Sequence, residues 1–197
     1  MNIDEIRTIL QKEQNGNIHY AVLLPLVKYN GKLNILFEIR RSDIPNGGEI
    51  CFPGGRIEKN ETALQAAIRE TCEELLIDAD QIEVLGELKG EQHSLSAGIS
   101  SWIAYLHDYH LTYSRDESEN IFLIPLDELL SMKPIISESQ YKREFRDDFP
   151  FDLIPGGKDY PFRSRKTMMY FYQTEYGVIW GLTASILHRF LELCKTY

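Results

Sequence analysis

The stretch from Thr62 to Leu75, TALQAAIRETCEEL, constrains the fold more than any other part of the chain. Leu64, Ala67, Ile68, Thr71, Cys72 and Leu75 recur at i, i+3, i+4, i+7, i+8 and i+11, a single apolar stripe down an α-helix. Thr62 followed by Gln65 is a capping box, which marks the helix start. Glu70, Glu73 and Glu74 stand at i, i+3 and i+4 and project from a neighbouring face. Carboxylates this close repel, by roughly 0.2–0.5 kcal/mol per exposed i,i+4 pair. They also sit late in the helix, where the negative end of its dipole disfavours acids. Such a cluster is either a solvated acidic face or a set of hard oxygen donors for Mg²⁺ or Mn²⁺, which turn repulsion into coordination. Arg69 lies beside the cluster and can orient a carboxylate by a bidentate contact.

The apolar stripe needs a partner surface, and the rest of the chain offers strands. Tyr20–Val27 reads as a mostly buried strand, Tyr29-Asn30-Gly31-Lys32 as a turn, and Leu33–Ile39 as the return strand of a hairpin. Further strands are expected near 82–88, 101–106, 121–124 and 168–172. A short helix is expected near 127–132 and a closing helix over 182–194, where Ile186, Leu187, Phe190, Leu191 and Cys194 keep helical spacing. Residues 1–16 read as a short helix and polar turn, and 42–56 as irregular because of their glycines and prolines. Strands outnumber helices, and the helices stand apart in sequence. The fold class expected is α+β, an α/β/α sandwich with a mixed sheet between helices, in one domain spanning 1–197.

Composition excludes several functions. The net charge of −9 repels a phosphate backbone, so a general nucleic-acid binder is not expected. No apolar run is long enough for a spanning helix, and the N-terminus lacks the basic start and apolar core of a signal peptide. The three scattered cysteines form no metal or redox pair, which leaves the cytoplasm as the default. The five histidines show no zinc spacing; His93 alone is noted, as a loop residue or a site residue. No oligomeric state follows from the sequence, and a homodimer is compatible with it.

Phe52-Pro53-Gly54-Gly55-Arg56 stands shortly before the helix. Adjacent glycines let a ligand come close to the backbone. Reading from Gly55, five residues precede Glu61, seven more precede Arg69-Glu70, then come Glu73-Glu74 and the aliphatic Ile77. This run, 55–77, resembles the Nudix box. Thr71 stands where the box has an aliphatic residue. Leu76 stands where it has glycine, so the residue best suited to a left-handed turn at the helix end is missing.

The resemblance implies an α/β/α fold and metal-dependent hydrolysis of a nucleoside diphosphate linked to another group. It implies Glu70, Glu73, Glu74 and the Gly55 carbonyl as metal ligands for Mg²⁺ or Mn²⁺. Arg69 would orient the glutamates, with Glu61 as its structural partner. One glutamate, Glu73 or one outside the box, would act on water as general base.

Three further stretches resemble the coenzyme A diphosphatase subfamily. Arg40-Arg41, Gly48 and Phe52-Pro53-Gly54-Gly55 follow its upstream motif, although Arg40 matches only if one residue is absent, and the second arginine position falls on Ile44. Arg40, Arg41 and Phe52 are the implied substrate contacts. Val178-Ile179-Trp180-Gly181-Leu182-Thr183-Ala184 is similar to the start of the subfamily's C-terminal helix, with Thr183 as its expected N-cap and Trp180 as a core residue. Glu117, before Ile121–Leu126, falls on a subfamily acid and is the first candidate for an additional ligand or the base. The substrate implied is coenzyme A or an acyl derivative. Other Nudix substrates (ADP-ribose, NADH or a nucleoside triphosphate) and a non-catalytic nucleotide sensor are the competing readings. The basic, aromatic run Tyr160–Lys166 is equally compatible with a phosphate or adenine contact and with a solvated turn.

Overall fold

The computed structural model describes residues 19–89 and 98–196. The expected N-terminal helix and His93 lie outside them.

Alternating burial sets the scaffold. Strand β1, Tyr20–Tyr29, turns through Asn30-Gly31, both at positive φ, into β2, Lys32–Arg40. The expected hairpin forms, with Tyr29 opposite Lys32. Two short strands, β3 at Ile50–Cys51 and β4 at Gly54–Arg56, interrupt the segment expected to be irregular. They pair with β2 and β1, because an edge left open by the short hairpin register still needs backbone partners. Strand β5 is Ile82–Glu87, β6 Ile99–Leu106 and β7 Ser118–Pro125. The pairing of β1 with β6 is parallel, while β5 on β6 and β7 on β2 are antiparallel, so the main sheet is mixed as expected.

Helices cover both faces. Helix α1, Ala63–Leu75, packs on the face formed by Ala21, Leu23, Val27, Leu36, Ala104 and Leu106. Helix α2, Leu126–Ser131, and helix α3, Gly181–Lys195, bring Leu129, Ile186, Leu187 and Leu191 to the other face, against Leu24, Leu26, Ile35 and Phe37. Strands β8 (Ile135–Tyr141), β9 (Arg165–Thr174) and β10 (Gly177–Ile179) make a second, antiparallel sheet beside α3. No helix among the described residues is long and apolar enough to cross a membrane.

Three local readings are corrected. Thr183 is buried inside α3, and Trp180 is the N-cap residue, without a side-chain capping bond. Trp180 is 45% exposed rather than core. Helix α1 does end in a left-handed turn despite lacking glycine, with Leu76 at φ 54° and ψ 51°.

Candidate active site

The capping box forms as expected. The Thr62 side chain accepts from the Gln65 N–H, and the Gln65 side chain accepts from the Thr62 N–H at 2.9 Å. The buried face is rotated slightly from the expected stripe, and this separates the three glutamates. Glu74 lies on the buried side at 3% exposure, Glu70 is half-buried, and the Glu73 side chain is mostly exposed. Thr71 fits the stripe because its hydroxyl donates to the Ala67 carbonyl at 2.6 Å.

Gly54 is required sterically, and Gly55 leaves room for the Glu70 carboxylate. Gly54 has φ +146°, and a Cβ there would strike the backbone of Ala21 and Val22. A Cβ on Gly55 would collide with the Glu70 carboxylate. The absent side chains let this loop lie against α1, where the Gly54 N–H donates to Glu74 Oε2 at 2.8 Å.

Arg69 organises the outer side of the cluster. Its Nε and Nη2 grip Glu61 at 2.9 and 3.1 Å, and Nη2 also donates to the Arg56 carbonyl. Its Nη1 meets Glu70 at 3.0 Å and Glu73 at 3.4 Å. Thus Glu61 partners Arg69, and Arg69 ties the helix to the glycine loop.

A fourth carboxylate, unforeseen in the sequence, lies on the inner side. Glu38 is 1% exposed. It shares a strand face with Leu36, which packs in the α1-side core, and its cross-strand partner Ile121 packs there too. A bulge between Ile39 and Arg40 brings the buried Ser118 onto the same face, where its hydroxyl favours the charged form of Glu38. Glu38 Oε1 is buried without a partner. The signal available in the sequence was a lone acid in the mostly apolar strand Leu33–Ile39, flanked by Phe37 and Ile39.

The electrostatics show carboxylates meeting out of water. Burial pushes Glu74 up to about 9, reinforced by the nearby negative charge of Glu38 and opposed by the Gly54 N–H. Burial pushes Glu38 up to about 7, opposed by the Ser118 hydroxyl and Arg40. Burial also raises Glu70, against the stabilising bond from Arg69. Glu117 raises all three through like charge; its carbonyl accepts from the Arg41 N–H at 3.1 Å, and the next residue, Ser118, pairs with Arg40, so its backbone runs alongside the end of the strand that carries Glu38.

This donor set fits a hard divalent cation: buried carboxylates with too few cations among them and one orphaned oxygen. As the side chains stand, no group of three His, Cys, Asp or Glu among the described residues encloses an ion. Arg69 draws Glu70 and Glu73 outward and compensates their charge.

The implied substrate contacts divide three ways. Phe52 is a core residue at 4% exposure, stacked on Phe37 at 5.1 Å, so it cannot touch a ligand. Arg40 has its Nε buried without a bond and offsets the charge of Glu38. Arg41 is engaged with Asp43 and with the backbone of the segment before β7. It borders a cavity of about 620 Å³ with Asp43, Tyr113, Arg115, Ser118 and Glu119. In the Tyr160–Lys166 run, Tyr160 and Phe162 meet edge to face, and Phe162 packs on Phe145.

The family model for the NUDIX domain matches residues 18–149. The chain belongs to the Nudix family. It is therefore a hydrolase of nucleoside diphosphate derivatives, a group of enzymes that use divalent cations. It is 30% identical to Nudix hydrolase 3 of Caenorhabditis elegans over 93% of this chain and 76% of that protein. It is 30% identical to the peroxisomal coenzyme A diphosphatase NUDT7 of Mus musculus, over 65% of this chain and 58% of that protein. With Nudix hydrolase NudL of Yersinia enterocolitica it shares 30% identity over 93% of this chain and 87% of that protein.

Proposed function

We propose that this Nudix enzyme cleaves the diphosphate bridge of coenzyme A or its acyl derivatives, giving adenosine 3′,5′-bisphosphate and 4′-(acyl)phosphopantetheine. The observation that carries the hydrolytic reading is the seating of Glu74 and Glu70 against Gly54 and Gly55, with Arg69 fastening the helix to that loop. The narrower substrate rests on the likeness to the mouse coenzyme A diphosphatase and on the Trp180–Ala184 run. The three free cysteines support a reducing compartment, which we take to be the cytoplasm.

Glu70, Glu73, Glu74 and the Gly55 carbonyl would hold Mg²⁺ or Mn²⁺. The cation, when bound, neutralises the diphosphate and lowers the pKa of its water. Glu117 is exposed and borders the cluster, so it is the residue we assign to accept the proton of the attacking water. Arg69 keeps Glu70 and Glu73 in place against their mutual repulsion. Arg115, which lines the cavity with Arg41 and Ser118, supplies a cation for an anionic group of the substrate.

Coenzyme A, ADP-ribose, NADH and dGTP, offered side by side with Mg²⁺ or Mn²⁺, test the reading by product analysis. Release of adenosine 3′,5′-bisphosphate, lost in Glu74→Gln, is the expected result. Cleavage confined to ADP-ribose, NADH or dGTP would remove the coenzyme A assignment. Nucleotide binding without any cleavage would remove the catalytic one.

A further inference from the structure

We propose that Arg41 is a positioning residue that clasps the 115–117 segment and thereby holds Glu117 against the carboxylate cluster. This rests on the role assigned to Glu117 above. Three consecutive carbonyls accept from this one residue. Its backbone N–H donates to Glu117 O at 3.1 Å, and its Nη1 donates to Arg115 O at 3.3 Å and Asp116 O at 3.4 Å. The other edge of the guanidinium is braced by Asp43, with Nε on Oδ1 at 2.8 Å and Nη2 on Oδ2. The planar fork of five donors is suited to bridging a carboxylate and a run of carbonyls at once, which an ammonium cannot do.

The segment needs such a fastening. Arg115, Asp116 and Glu117 are all exposed, so no apolar packing places them. Upstream, the same loop is tied to the end of α1. The Ser114 N–H donates to Glu74 O, and the Thr112 hydroxyl donates to Leu75 O, each at 2.6 Å. Arg41 supplies the second tie, immediately after β2. The loop is thus strung between the two elements that carry Glu74 and Glu38. With both edges engaged, the Arg41 guanidinium stabilises the loop rather than a substrate phosphate.

Steady-state kinetics on coenzyme A, with Mg²⁺ or Mn²⁺, separate these roles. Glu117→Gln is expected to lower kcat about 100-fold, as for loss of a general base. Arg41→Ala is expected to lower kcat about tenfold through misplacement of Glu117, with KM nearly unchanged. The double variant should be no slower than Glu117→Gln alone, because Arg41 acts through Glu117. Arg41→Lys should stay close to Arg41→Ala. A raised KM at unchanged kcat, effects that multiply in the double variant, or full rescue by lysine would each overturn the clasp. A Glu117→Gln enzyme with near-normal kcat would instead overturn the role of Glu117, and the clasp with it. If thermal unfolding shows that Arg41→Ala does not fold, Asp43→Asn takes its place in the same cycle, with a smaller loss of kcat expected.

Discussion

The two faces of the main sheet solve burial in opposite ways, and β2 belongs to both. Toward α3 it presents Ile35 and Phe37, and Phe37 stacks between Phe52 and Phe122 at centroid distances of 5.1 and 5.4 Å. Toward α1 it presents Leu36 and then Glu38. One face gains stability from each group it hides. The other hides carboxylates whose repulsion and desolvation oppose folding. The lesson is that the cost of the functional site is confined to one layer, with the aromatic layer behind it supplying stability.

The largest effect should come from breaking the apolar face. Phe37→Ala removes a fully buried ring shared by two stacks, and urea unfolding should show a loss of about 4 kcal/mol. A loss below about 1 kcal/mol would show that the aromatic layer is not what supports the fold.

The polar face should reveal itself through pH. A carboxyl whose folded pKa lies above its unfolded value binds a proton in the folded state that the unfolded chain has already released. Stability is therefore present at low pH and is lost as pH rises. For Glu38 the window runs from 4.5 to about 7, and for Glu74 it extends to about 9. With chelator present, stability should fall by roughly 3 kcal/mol or more between pH 5 and pH 8 as the Glu38–Glu74 pair releases its protons. Glu38→Gln should flatten that part of the profile, and added Mg²⁺ or Mn²⁺ at pH 8 should restore stability in the unaltered protein. A profile flat from pH 5 to 8 would contradict the buried charge pair.

The smallest effect concerns a residue exposed outside both faces. Leu76 holds a left-handed conformation at 59% exposure. Leu76→Gly should stabilise by about 1 kcal/mol, since it relieves the Cβ clash while removing little packing. Thermal unfolding would register it. A lower midpoint would mean that the Leu76 side chain contributes more than its exposure implies.

Much was legible from local pattern. Helical spacing and the capping box located α1, and Asn30-Gly31 located the hairpin, because both depend on contacts within a few residues. The order of Gly55, Glu61, Arg69, Glu70, Glu73 and Glu74 pointed to divalent-cation chemistry, because one helix and its preceding loop carry them all. Phe52 was misread as a ligand contact because sequence adjacency to the glycines says nothing about which way a ring points.

What the sequence alone determined was therefore the box helix, its charge and the hydrolase family. Only the tertiary structure decided that Glu38 joins Glu74, that Ser118 turns inward at a bulge, and that Arg41 fastens the segment bearing Glu117. Those pairings cross from strand to helix or from strand to loop, across separations such as the 36 residues between Glu38 and Glu74. Strand pairing and helix packing close such distances, and no local periodicity encodes them.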